Sequence, residues 1–300
     1  MKYIALVAPA TVLFHSAGAQ AAVDSPRILA PASAWTLDFA DERCSLIREF
    51  GDGEDKVRLQ IDSYGPRPGY RVMISGDLVP GSDANRLTDF RVGYSPDTRQ
   101  RERFGPTMVG KFMDENAVSF VRAFLPDSPT ADQADRLGSE FERSVTHMTL
   151  EFRLGKPFQL DTGSMAAPFA AMHRCVDNLI ASWGIDPDEY RTLSRPVQVG
   201  ELPESWNRIE LAAQNSHPSP SERRDRRMAQ SVTSPRAGDI TPVRVMIDAT
   251  GQPTACVVQA AFASEAYTQS VCGVLTDHRY QPALNADGEP VASFIQANTG

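Results

Sequence analysis

Four cysteines constrain this chain more than any other feature: Cys44, Cys175, Cys256 and Cys272. No two are spaced as Cys-x-x-Cys, so the paired ligand spacing of a zinc site is absent. An even number in an oxidising compartment predicts two disulfides. Of the three possible connectivities, Cys44–Cys175 with Cys256–Cys272 is favoured because it places one bond inside each of the two domains expected for a chain of this length. Closing the shorter loop would stabilise the fold by about 3 kcal/mol through entropy lost from the unfolded state. The competing reading is four buried thiols, and the compartment decides between the two.

The N-terminus points to that compartment. Lys2 supplies a positive charge, residues 3–14 are mostly apolar, and the small residues Ala19-Gln20-Ala21 precede a cleavage point before Ala22. This is the pattern of a secretory leader over 1–21. The apolar run, broken by Pro9, is far shorter than the roughly 20 residues a membrane-crossing helix needs. The expectation is an exported, periplasmic protein that is soluble after cleavage and has no later membrane span.

With 300 residues the chain exceeds what one core usually fills, so two domains are expected. Residues 22–198 form the first, 199–231 a linker, and 232–300 the second. Strands are expected at residues 35–39 and 56–62, where apolar and polar residues alternate, and at 70–74, 89–94, 117–124 and 147–154. Residues 23–34 show no period and read as an extended lead-in. A helix should start at Ser128-Pro129 and bury Ala134, Leu137 and Phe141. A second, over residues 165–183, carries the stripe Phe169, Met172, Val176, Leu179, Ile180 and Trp183, with Cys175 on its border and Gly184 as its stop. The fold class is therefore α+β, a strand-rich N-terminal domain closed by a helix. Prolines at 196, 203, 218, 220 and 235 break any regular element across residues 187–236, and the charged run at 221–227 reads as a solvated helix face.

The C-terminal part is more sharply patterned. Val243, Val245 and Ile247 alternate with Arg244, Met246 and Asp248, the mark of a half-buried strand. A turn through Gly251 and Pro253 leads to a second strand, and Ser264 can cap a helix with Tyr267, Val271, Val274 and His278 on one face, Leu275 beside them. A third strand follows at residues 290–296. The run Ile247-Asp-Ala-Thr-Gly251, then Cys256-Val-Val, Cys272-Gly-Val-Leu275, Arg279-Tyr280-Gln-Pro282-Ala283 and Asp287-Gly288-Glu-Pro290-Val291 resembles the C-terminal domain of the TonB energy-transducer family. The resemblance covers roughly residues 232–300 and implies a three-stranded sheet backed by one main helix. It also implies a Cys256–Cys272 bond between the second strand and that helix, and contact with peptides of outer-membrane transporters. A small sheet of this kind leaves an open edge that can accept a partner strand. Val291, Ala292, Ser293, Phe294, Ile295 and Gln296 are expected to present it. The competing readings are an edge covered by the N-terminal domain or by a second copy in a homodimer.

Chemistry-bearing motifs are few. Asp161-Thr-Gly-Ser164 matches one aspartic-protease loop, but such a site needs two aspartates sharing a proton, so Asp161 or Ser164 is read as a helix cap. His147 and His173 could meet in space, and His278 reads as a packed core residue. Asp114-Glu115 and Asp186, Asp188 and Glu189 read as turn carboxylates. No nucleophile elbow, phosphate loop or dinucleotide fingerprint occurs, so neither a catalytic residue nor a cofactor or metal is expected. The net charge of −8 argues against a general nucleic-acid binder. The function expected is that of a periplasmic binding or adaptor protein working through protein or peptide contacts, linked to outer-membrane transport. The alternatives are an envelope enzyme with its site in the N-terminal domain and a structural envelope component.

Overall fold

The computed structural model describes residues 26–66, 69–80, 90–95, 102–103, 108–122, 140–152, 156–200, 241–259 and 265–299. The leader, the helix expected from Ser128-Pro129 (apart from a final turn at 140–144), most of the linker with its charged run, and residues 232–240 lie outside them.

Eleven strands precede residue 165 among the described residues: β1 Arg27–Leu29, β2 Thr36–Ala40, β3 Arg43–Phe50, β4 Val57–Ser63, β5 Tyr70–Gly76, β6 Phe90–Tyr94, β7 Glu102–Arg103, β8 Met108–Phe112, β9 Glu115–Arg122, β10 His147–Phe152 and β11 Phe158–Asp161. Six form an antiparallel sheet in the order β2-β3-β4-β5-β9-β8. The others form a second sheet, β1-β11-β10-β6-β7, in which β1 runs parallel to β11. With helix α1, Ala166–Ser182, this is the α+β class.

Alternation sets the core. Leu46 and Phe50 on β3, Val57, Leu59 and Ile61 on β4, and Val72 and Ile74 on β5 share one sheet face and pack with Met148, Leu150, Phe158 and Leu160 of the second sheet. Helix α1 adds Phe169, Met172, Val176, Leu179 and Ile180, the stripe read from sequence. Each such side chain contributes about 1.5–3 kcal/mol by leaving water. A bond between Cys44 and Cys175 ties the helix to β3. Gly184, at φ +82°, turns the chain out of α1 in a conformation open to glycine at little cost.

Of the lead-in expected at 23–34, the described part from residue 26 does more than extend. Arg27–Leu29 pairs with Phe158–Leu160, and Pro31 bridges to Phe50. Strands β3, β7, β8 and β11 also escape the sequence pattern, β3 because Arg43-Cys-Ser-Leu-Ile-Arg-Glu-Phe alternates poorly and buries a serine.

After a short helix, α2 at Pro187–Arg191 with Asp186 as its cap, the chain reaches the C-terminal module. Strands β12 Thr241–Ile247 and β13 Pro253–Val258, helix α3 Glu265–Thr276, and strands β14 Ala283–Leu284, β15 Pro290–Val291 and β16 Ser293–Thr299 follow. The sheet order is β13-β12-β16, with β14 and β15 paired apart from it. Val243, Val245 and Ile247 pack with Tyr267, Val271 and Leu275 of α3. The second disulfide, Cys256–Cys272, joins β13 to α3.

The fragments of the C-terminal pattern interlock. Asp248 Oδ1 accepts hydrogen bonds from the Thr250 hydroxyl and from the Thr250 and Gln252 amides, and these donors, Thr250 first, hold its carboxyl below the usual range. Gly251, at φ +86°, sits where a Cβ would fall 2.1 Å from the Tyr280 carbonyl oxygen. The Tyr280 amide donates to Gly251 O at 2.9 Å, and Arg279 Nη2 donates to Thr250 O at 3.0 Å. Burial raises the Tyr280 phenol to about 12. His278 lies past the end of α3 rather than on its stripe, its ring edge-on to Tyr280 and its Nε2 2.6 Å from Val199 O.

Part of the proline-rich stretch belongs to this module. Leu193, Val197 and Val199 pack into the second core, and Arg195 and Gln198 bridge to Leu284 and Gln281. Short backbone bridges suffice there because proline lacks the donor that a full ladder requires.

Candidate partner-binding edge

The six residues expected to form an open edge are divided between two sheets. Val291 pairs with Ala283 in the β14–β15 hairpin, Ala292 lies between strands, and Ser293, Phe294, Ile295 and Gln296 begin β16. The continuous strand expected over 290–296 is thus corrected. Asn285 folds the hairpin by accepting from the Asp287 and Glu289 amides, which aligns Pro290 and Val291 with Leu284 and Ala283. The main strand then runs on to Thr299.

Along β16 the side chains divide by parity. Ser293 and Ile295 lie opposite Ile247 and Val245, on the α3 side. Phe294 and Gln296 lie opposite Met246 and Arg244, on the other side, and that side is covered by the N-terminal domain. Phe294 stacks on Tyr190 of α2, with ring centroids 4.9 Å apart, and meets Trp183 edge-on at 5.2 Å. Arg244 donates from Nη2 to Glu42 Oε1 at 2.6 Å, and its guanidinium lies over the Trp183 ring at 4.2 Å. Gln296 donates to Tyr64 O and to Gln259 Oε1, and Gln259 donates to Tyr64 O and Glu42 Oε2. The strand expected over residues 243–248 ends at Ile247 and is covered on both faces: Val243, Arg244, Val245 and Ile247 are buried and Met246 half-buried.

The contact continues into a polar layer on the outer face of the six-stranded sheet. Asp62, only 3% exposed, accepts from Ser45 Oγ at 2.6 Å and from Gln60 Nε2 at 2.9 Å, with Arg43 and Arg71 nearby. Loss of water raises its carboxyl above the usual range, against the pull of these hydrogen bonds and the two arginines. The guanidinium of Arg71 lies over the Tyr64 ring. Tyr64 thus links the buried carboxylate to the module through its own backbone carbonyl.

Covering a face does not by itself pair an edge. β16 pairs with β12 through one margin, Thr241 with Thr299 to Ile247 with Ser293, and among the described residues no strand pairs with the other margin. β13, at the opposite end of the sheet, is fastened to α3 by the disulfide. Ser293, buried at the head of β16, has a hydroxyl with no hydrogen-bond partner among the described residues.

The titratable groups singled out in the sequence fall elsewhere. His173 meets Glu142, which accepts from the Tyr70 hydroxyl at 2.6 Å; burial first, then Glu142, pushes the Tyr70 phenol well above its ordinary value. His147 has a different set of neighbours, Thr146, Ser95 and Asp161. The two histidines are not brought together. The N-cap of α1 is Met165, with no side-chain cap bond, so neither Asp161 nor Ser164 fills the expected role. Ser164 Oγ accepts from the Ala166 amide at 3.4 Å, one residue before the cap, and Asp161 accepts from Gly163 N. Asp114 lies at positive φ in the β8–β9 turn, and Asp188 pairs with Arg191. Among the described residues no group of three or more His, Cys, Asp or Glu is placed to hold a metal, and no helix is long and apolar enough to cross a membrane.

Sequence reasoning missed Glu42, Tyr64, Trp183 and Tyr190 as partners of the module. A signal was present: Met246 and Phe294 are large apolar residues in the polar phase of their strands and lie directly opposite one another. Compared with known proteins, the chain matches no family model, no curated sequence and no solved structure.

Proposed function

We propose that this protein is a periplasmic adaptor that captures an extended segment of a partner protein by strand addition to β16. The observation that carries the reading is the position of β16 at the end of its sheet, paired through one margin for seven residues. A strand laid along that margin would satisfy backbone donors and acceptors over about 23 Å. The leader and the two disulfides support an exported setting, since such bonds persist in oxidising compartments. The order of motifs in the C-terminal module, similar to that of the TonB domain, favours an outer-membrane transporter as the source of the segment. The protein acts by contact rather than by chemistry.

Backbone pairing contributes about 0.5–1.5 kcal/mol per hydrogen bond, whereas association costs about 4–15 kcal/mol. Side-chain contacts must therefore decide which segment is held. The test is a titration of the isotopically labelled full chain with seven-residue extended peptides, following amide shifts and hydrogen exchange. Alternate amides of residues 293–299 should shift and gain protection. Unchanged spectra across those residues at millimolar peptide would overturn the proposal.

A further inference from the structure

Resting on strand addition at β16, we propose that the N-terminal domain forms one wall of the site and that the captured segment carries an apolar or aromatic residue flanked by lysine or arginine. In an added strand, residues opposite Phe294 and Gln296 point to the same side as those two. That side is occupied by the N-terminal domain. Trp183 reaches both β12, through Arg244, and β16, through Phe294. Tyr190, partly exposed, stacks directly on Phe294 of the outermost strand. Phe294 itself is buried, so the partly exposed Tyr190 ring stacked on it is the aromatic surface that an incoming side chain meets, the kind of anchor that carries binding energy in interfaces.

The charges around this corner are mostly acidic. Asp186, Asp188 and Glu189 are exposed on α2 and its cap, beside Tyr190, and Asp177 stands on the neighbouring turn of α1. Asp287 and Glu289 are exposed on the turn that leads into β15 and so to the head of β16. Arg191, tied to Asp177 and Asp188, and Arg195, whose Nη2 donates to Pro282 O, are the bases near them. Among these described residues carboxylates outnumber guanidinium groups, so their field at the β16 margin attracts cationic side chains and repels acidic ones.

Two probes separate this inference from strand addition itself: an acetylated, amidated heptapeptide Lys-Lys-Val-Phe-Val-Lys-Lys and its counterpart with glutamate at every lysine. With the full chain at low salt, the lysine peptide should bind at least about fivefold more tightly, and the preference should shrink at 1 M salt. Its shifts should cover 186–191 as well as 293–299. Glu189→Lys, at an exposed position, should reduce the preference, and Tyr190→Ala should weaken both peptides. Shifts confined to 293–299, or equal or tighter binding of the glutamate peptide, would overturn the inference and leave strand addition standing. No shift in 293–299 with either peptide would remove both.

Discussion

The guanidinium of Arg244 lies between the Glu42 carboxylate and the Trp183 ring, held to one by a 2.6 Å hydrogen bond and 4.2 Å above the other. A residue of β12 is thus fixed by the β2–β3 turn and by the end of α1, two separate parts of the N-terminal domain.

Removing one partner of a buried charge pair leaves the other uncompensated, which is dearer than losing the pair. Arg244→Met should lower stability by about 2–4 kcal/mol, scaled down from the fully buried case because Glu42 keeps some access to solvent. Adding Glu42→Gln should cost less than the two single changes together, by about 1 kcal/mol in a double-mutant cycle from urea unfolding. Full additivity would show that the pair is not coupled.

The two disulfides should yield to reductant in a fixed order. Cys44 and Cys175 are buried, whereas Cys256 and Cys272 are both partly exposed. Mild dithiothreitol followed by alkylation and peptide mapping should label Cys256 and Cys272 first. Replacing that pair by alanine should cost about 3 kcal/mol. Labelling of Cys44 ahead of Cys272 would contradict the burial pattern.

Asp62 gives a pH signature whose sign follows from its raised carboxyl. Burial disfavours the ionised form in the folded state, so the group's favourable contribution is fully present below its unfolded value near 3.8 and is lost as pH rises through the raised folded value. Asp62→Asn keeps an acceptor for Ser45 and Gln60 without the charge. The stability of this variant relative to the parent should therefore be greatest at neutral pH and decline as pH falls towards 3.8, measured by denaturant unfolding across that range. A relative stability that grows on acidification would mean the two arginines outweigh burial.

Gly251→Ala should destabilise by more than about 1 kcal/mol, because a positive φ and a carbonyl oxygen 2.1 Å from the new Cβ act together. Calorimetry would register the change as a fall in Tm. An unchanged Tm would show that the Gly251–Tyr280 approach can relax.

How far the sequence could be read depended on whether one face or two were buried. The α1 stripe was legible because its opposite face is solvated, so Phe169, Met172, Val176, Leu179 and Ile180 stand out at helical spacing. The Val243, Val245 and Ile247 phase of β12 was legible because Arg244 and Asp248 interrupt it with charge, although the N-terminal domain covers the Arg244 and Met246 side. β3 was not, since Ser45 is buried on one face while Cys44 and Leu46 are buried on the other, which erases the period. The polar phase of the C-terminal strands was misread as solvated. Arg244 and Gln296 look like surface residues until Glu42 and the Tyr64 carbonyl are placed against them, and those partners lie some two hundred positions away in the chain.

Because Phe294 and Met246 share a core with residues of the first half of the chain, a cut through the linker would not yield a finished part. The severed C-terminal piece would expose an aromatic ring, a thioether and a guanidinium that have lost their counterparts, and would tend to self-associate. Deleting the linker's neighbours 193–199 would compound the damage by unroofing its other side. Anyone grafting this segment onto a different scaffold should carry along the helix bearing Tyr190, or redesign the orphaned surface first.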